Sequence, residues 1–230
     1  MTSMANQREF LWISRNCESW KQVLHLGAVR TYEKNEIIIH CGGVVDHLYY
    51  LAEGEIRLSF VSPDGVEKVI WYVQPGTIFG ETPFFDGKPA DSLSTAVEKS
   101  VVYAFPRHSV YGEIAQNYPE VWQDLLKTLA LKVRTLCNQI YTLSIADLKQ
   151  QVCKFLLQAN AKNEGPTQAS GEVLVECGLS QEELGCVLGV HRVSISKVLK
   201  QLKEEGVISK CTKKTVLVTD WERLLEYAVL

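Results

Sequence analysis

Residues Leu179 to Ile208 read LSQEELGCVLGVHRVSISKVLKQLKEEGVI, and this stretch parses as two short helices joined by a tight turn. Ser180 is placed to cap the first helix with its hydroxyl on the Glu183 amide, while the Glu183 carboxylate reaches back to the Ser180 amide. Leu184, Val187 and Leu188 give that helix one apolar face, and Gly189 supplies a residue that takes positive φ where the chain turns. From about His191 a second helix follows, with Ile195, Val198, Leu199 and Leu202 at i, i+3, i+4 and i+7 facing inward. Arg192, Val193, Ser194, Ser196, Lys197, Lys200 and Gln201 are left on the opposite face. Cations and hydroxyls suit phosphates, Arg or Lys suits guanine edges, and an apolar group suits a thymine methyl, so this face has the chemistry of DNA contact. An ordinary αα-corner in a helical core fits the same spacing, and the rest of the chain must decide.

The surroundings favour DNA. The whole chain carries a formal charge of −3, yet Arg192 to Lys214 hold seven Lys or Arg against Glu204 and Glu205. That is a basic end on an acidic body, as expected when one domain alone meets phosphate. Val173 to Val175 and Thr215 to Val218 read as strands flanking the two helices, with Lys210 to Lys214 as the tip of a wing and a last helix from Asp220. Asn163 to Pro166 reads as a loop, and Asp147 with Gln150 forms a second capping-box start. The C-terminal segment is expected to be a winged helix-turn-helix.

Upstream, Leu126, Leu129, Val133, Leu136, Ile140 and Leu143 fall at steps of 3, 4, 3, 4, 3. They make the a/d seam of a long helix broken at Ser144 to Ala146. Such a seam pairs two helices or packs on a neighbouring layer. Before it, from about Arg30 to Phe105, short alternating runs are separated by Gly42-Gly43, Glu53-Gly54, Pro63-Asp64-Gly65 and Pro75-Gly76, the pattern of a small antiparallel barrel or jelly roll. A short amphipathic helix with Trp20, Val23 and Leu24 precedes them.

Composition sets the outer bounds. At 230 residues and 46% hydrophobic, the chain is globular and long enough for two modest domains. No apolar run reaches bilayer length and MTSMANQREF lacks the pattern of a signal peptide, so the expectation is a cytoplasmic protein without membrane contact. The seven cysteines are scattered with no CxxC, which reads as reduced thiols. A metalloenzyme of the cupin type needs a His-x-His followed by Glu and a later His. His25, His40, His47 and His108 show no such spacing, so neither catalytic residues nor metal ligands are expected.

The helix-turn-helix, with GGVVDHLYYLAEGEIRLSF and QPGTIFGE in the β-rich half, resembles the CRP/FNR family of transcription regulators, and GVHRVSISKVLKQLK is most similar to the CprK-type regulators of organohalide respiration. The resemblance implies an α+β chain: an N-terminal antiparallel, cyclic-nucleotide-binding-like β-roll effector domain over 1–118, a long dimerisation helix and hinge over 119–146, and a winged helix-turn-helix over 147–230. It further implies a homodimeric activator that engages RNA polymerase and binds an inverted repeat in double-stranded DNA. Arg192, Val193 and Lys197 would read bases, and Ser194, Ser196, Lys200, Lys213 and Lys214 would hold phosphates. Many family members place Glu where this chain has Val193, so an A/T-rich operator is expected.

For the signal, cyclic-AMP-binding members carry Gly-Glu and, about ten residues on, Arg-Ser. Here Gly80-Glu81 is present but Asp91-Ser92 replaces the second pair, and a carboxylate facing a phosphodiester repels it. CprK-type regulators bind an ortho-chlorinated phenol with tyrosines and lysines. Tyr72 and Lys132 match two of those positions, while Glu81 and Leu129 stand at the other two, implying a related but different small organic effector. The family's iron–sulfur sensors use an N-terminal cysteine cluster, whereas here only Cys17 precedes Cys41, so no cluster is expected. Thiol- or haem-based sensing on the same fold is the alternative reading.

Overall fold

The computed structural model describes residues 11–14, 17–163, 172–212 and 214–229. They fall into two units, Leu11–Leu136 and the residues from Cys137 onward. The division lies inside the long helix.

In the first unit, alternating strands close into two sheets. One has β2 (Ala28–Tyr32), β9 (Ser100–Pro106), β4 (His47–Glu53) and β7 (Ile78–Phe79) side by side. The other runs β1 (Trp12–Ile13), β6 (Glu67–Val73), β5 (Ile56–Val61), β8 (Leu93–Ala96), β3 (Ile37–Ile39). All pairs within the roll are antiparallel as expected, and β1, which precedes it, joins β6 in parallel. Inward residues of both sheets, including Leu48, Leu51, Ile56, Ile78 and Phe105, are removed from water and supply the hydrophobic stabilisation. The expected N-terminal helix is a 3-10 helix, Glu18–Leu26, with Trp20 set edge-on against Phe105 at 5.1 Å.

Between β5 and β6 the register slips: Leu58 faces Trp71, but Ser59 faces Val69. Ile70 is thus the extra residue of a β-bulge, which locally resets side-chain alternation. After β7, Gly80 adopts φ 79° and opens α1 (Glu81–Asp86). A Cβ there would stand 2.9 Å from the Tyr49 ring and 3.0 Å from the Ile39 Cδ1, so glycine answers both backbone and packing demands. Helical residues α2 (Arg107–Ser109), a π-helical turn (Val110–Ile114) and α3 (Ala115–Asn117) lead to α4 (Pro119–Ile145). That helix continues through Ser144, two residues beyond the seam's last leucine.

The second unit contains α5 (Leu148–Asn163), β10 (Val173–Glu176), α6 (Gln181–Leu188), α7 (Arg192–Glu204), β11 (Ile208–Cys211), β12 (Thr215–Val218) and α8 (Trp221–Ala228). Its strands lie in the order β10-β12-β11. Asp147 accepts from the Gln150 amide at 2.8 Å and the Gln150 side chain accepts from the Asp147 amide at 2.9 Å, the reciprocal cap the sequence called for. Asp220 caps α8 by accepting from the Arg223 amide. The loop expected at Asn163 to Pro166 lies, beyond Asn163 itself, outside the described residues.

Candidate effector cavity and DNA-recognition helix

The helix-turn-helix is held by four local devices. Ser180 Oγ accepts from the Glu183 amide at 3.2 Å and Glu183 Oε2 accepts from the Ser180 amide at 2.7 Å, fixing the start of α6. Gly189 ends it in the left-handed region at φ 70°. The third device the sequence reading missed: Gly185 lies against the turn, and a Cβ there would come within 2.7 Å of the Val190 carbonyl oxygen. His191 stands just before α7 as its cap, its Nδ1 accepting from the Val193 amide at 3.3 Å.

Burial on α7 divides as the periodicity required. Ile195, Val198, Leu199 and Leu202 are buried. Arg192, Val193, Ser196, Lys197 and Lys200 are exposed and Ser194 is half-buried, so the face chosen as the DNA reader is in water. Val193, an apolar side chain, is 52% exposed. Lys200 forms an exposed pair with Glu204 at 3.6 Å, weak enough to yield to a phosphate. Lys214 is exposed beside β12, whereas Lys213 lies outside the described residues.

The helix α4 shows an inversion of the usual burial. Its apolar seam faces water, with Leu126, Val133 and Ile140 exposed by 64%, 60% and 65%, Leu136 and Leu143 also exposed, and Leu129 half-buried. Near its start it buries Val121 and Leu125, but from Thr128 onward the residues it buries are polar: Thr128, Lys132, Thr135, Gln139 and Thr142. Thr128 Oγ1 donates to the Asp124 carbonyl at 2.7 Å and lies 3.3 Å from the Cys17 thiol. Lys132 is fully enclosed, its ammonium donating to Glu81 Oε1 at 2.8 Å and to the Ile78 carbonyl at 3.0 Å, over the Trp71 ring at 5.7 Å.

Beside this ion pair the β-roll encloses a cavity of about 210 Å³. Ile39, Leu58, Phe60, Ile70, Trp71 and Leu136 give it apolar walls, and Glu81, Thr82, Asp91, Ser92 and Ser94 its polar groups. Of the four residues the sequence assigned to the effector, Glu81 lines the cavity and Lys132 stands behind it. Tyr72 does not line it. Ordinary strand alternation puts Tyr72 on the face opposite Trp71, where it stacks on Trp12 at 6.2 Å, and the bulge lets Ile70 join Trp71 at the cavity. Leu129 also lies outside the lining and packs against the β-roll core. Trp71 and Asp91 line it instead.

Residues 29–117 match the model of the cyclic nucleotide-binding domain, and residues 150–227 match that of the Crp-like helix-turn-helix domain. A CRP-like cAMP-activated global transcriptional regulator of Mycobacterium tuberculosis is 32% identical over 183 residues, 80% of each chain. The chain belongs to the CRP/FNR family of transcription regulators. Another relative of this CRP/FNR member, the cAMP-activated regulator Vfr of Pseudomonas aeruginosa, is 24% identical over 78% of the chain and 84% of its own. Among solved structures, a CooA mutant from Carboxydothermus hydrogenoformans superposes with a TM-score of 0.80 at 20% identity, covering 96% of this chain and 99% of its own. CprK complexed with OCPA gives 0.71 at 22% identity, over 90% and 93%. These two establish a shared fold. The curated relatives are transcription regulators, so this CRP/FNR protein is a DNA-binding regulator and not an enzyme. Among the described residues, no helix is long and apolar enough to cross a membrane.

Proposed function

We propose that the chain is a homodimeric, effector-responsive activator that binds an A/T-rich inverted repeat and engages RNA polymerase in the cytoplasm. The observation carrying this reading is the inverted burial of α4 beyond Leu129, where the leucine, valine and isoleucine ridge is exposed while the polar side is enclosed. Exposed apolar residues at coiled-coil spacing gain most by meeting a second copy of themselves. A two-fold pair of α7 helices then matches two half-sites one helical turn apart.

The signal in this reading is a small organic molecule held in the β-roll cavity, without an iron–sulfur cluster, and not a cyclic nucleotide. Asp91 lines the cavity where cyclic-AMP-binding members present arginine to the phosphate. The only buried cation beside the cavity, among the described residues, is Lys132, which already serves Glu81 and the Ile78 carbonyl. A halogenated phenol is the class the CprK resemblance names, and it fits the aromatic and aliphatic walls. Because α4 carries Leu136 from the cavity wall onward to the Asp147 cap, an effector that favours one setting of this helix shifts the protein between two states.

Sedimentation velocity on the full chain, combined with selection of bound fragments from random DNA with and without a halophenol panel, tests the whole reading. The expected result is a dimer enriching a palindrome whose recovery changes with effector. A monomer that still binds one site tightly would overturn it.

A further inference from the structure

We infer that Lys149 and Glu205 are positioning residues for DNA binding: their ion pair sets the tilt of α7 against α5, and with it the operator spacing that two reading helices accept. The spacing part rests on the homodimer reading, whereas the tilt belongs to one chain.

Glu205 is the C-cap of α7, the end of a helix where the aligned peptide dipoles disfavour a carboxylate. Donors from α5, α7 and α8 hold it there. Lys149, in the first turn of α5, donates to Oε2 at 2.6 Å, Gln201 of α7 itself donates to Oε1 at 2.9 Å, and Arg223 of α8 donates to the Glu205 carbonyl at 2.9 Å. Tyr227 of α8 backs the cluster, its ring centre 3.6 Å from the Lys149 ammonium and 5.6 Å from the Arg223 guanidinium. The Lys149 and Glu205 side chains are 20% and 25% exposed, so water screens them less than it screens Lys200 and Glu204, 78% and 66% exposed on the same helix.

This hub lies at the far end of α7 from Arg192. Over residues 192–204 the helix spans about 18 Å, and its near end is pinned separately, where Gly185 lies against the Val190 carbonyl. Apolar packing along the helix is non-directional and tolerates small rotations, whereas a short charge-assisted hydrogen bond fixes both distance and direction. With the near end fixed, a displacement of about 1 Å at Glu205 tilts the helix by about 3°. Across a two-fold axis both helices turn, and the distance between their reading ends changes.

Fluorescence anisotropy on the full-length protein tests this with the palindrome recovered by selection, the same palindrome with one base pair added or removed at its centre, and a single half-site. Lys149→Met should bind the native palindrome about threefold or more weakly, bind the half-site like wild type, and shift the preferred spacing. Lys149→Arg, which keeps the pair, should restore the wild-type order of spacings. Glu205→Gln, which keeps the side-chain shape and removes the charge, should shift the order as Lys149→Met does, and it stands in for a Lys149→Met chain that does not fold. Ser180→Ala, which weakens the same unit at the α6 cap, should lower all duplexes alike. A Lys149→Met chain that weakens every duplex by one factor or keeps the wild-type order of spacings, or a Lys149→Arg chain that behaves as Lys149→Met, overturns the inference and leaves the homodimer standing. A wild-type chain indifferent to spacing overturns both.

Discussion

Lys132 on α4 and Glu81 in the first turn of α1 meet at 2.8 Å with both side chains almost wholly removed from water. The pair ties the long helix to the β-roll at the edge of the effector cavity, so its integrity sets both stability and the shape of the site. Removing one partner leaves a buried charge, and Lys132→Met should cost about 3–5 kcal/mol in urea unfolding. The double variant Lys132→Met, Glu81→Gln should recover most of that loss. A single variant as stable as wild type would show that the pair is not closed in solution.

At the helix-turn-helix, Gly185→Ala drives a methyl group against the Val190 carbonyl, a backbone atom that yields only if the turn moves. The expected cost is about 1–3 kcal/mol of unfolding free energy, with weaker operator binding. Ser180→Ala, which removes only the cap, should cost about 1 kcal/mol. Denaturant melts beside fluorescence anisotropy with operator DNA separate the two; equal behaviour of both variants would contradict the close approach.

On the reading face, Lys200→Ala should weaken all sequences alike and flatten the plot of log K against log salt by about 0.9 if one phosphate contact is lost. Arg192→Ala should relax base preference by about 1–3 kcal/mol per half-site at its guanine. Val193→Glu should trade a thymine contact for one to cytosine. Variants that bind operator like wild type would show that another face of the second unit reads DNA.

Acid should loosen the second unit first at Glu205. Hydrogen bonds from Lys149 at 2.6 Å and then Gln201 at 2.9 Å hold this carboxyl down at about 2. Its folded pKa lies below the unfolded value of 4.5, so its stabilising contribution is present above that value and fades as pH falls toward 2. Denaturation midpoints measured from about pH 5 to pH 2.5 should drop more steeply for wild type than for Glu205→Gln. Parallel curves would count against the contact.

Thiol chemistry should be confined to the surface. Burial pushes Cys153 and Cys177 up to about 12 and also raises Cys211, whereas Cys41 and Cys137 are exposed. Iodoacetamide at neutral pH should label Cys41 and Cys137 well before Cys153 and Cys177, because the thiolate is the reacting form. Early labelling of Cys177 would show that the second unit opens.

Much of this was legible along the chain because it depends on neighbours in sequence. The caps at Ser180, Asp147 and Asp220, the buried stripe of α7 and the ridge of α4 are set by residues three or four apart, where helical geometry alone decides who meets whom. The β-rich stretch and its turns at Gly42-Gly43, Glu53-Gly54, Pro63-Asp64-Gly65 and Pro75-Gly76 were legible for the same reason. The effector site was another matter. The resemblance points to Tyr72 and Leu129, yet alternation along β6 turns Trp71 and not Tyr72 to the hollow, and which face of a strand lines a cavity depends on what packs against it.

The sequence by itself therefore determined the two-part architecture, the reading helix with its exposed Arg192 and Lys197, and the apolar ridge. Only the tertiary structure decided that Lys132 is paired to a carboxylate 51 residues away and that Asp91 and Glu81 line the same hollow. Helix faces follow from local spacing, whereas a cavity's charge is fixed by side chains that only chain closure brings together.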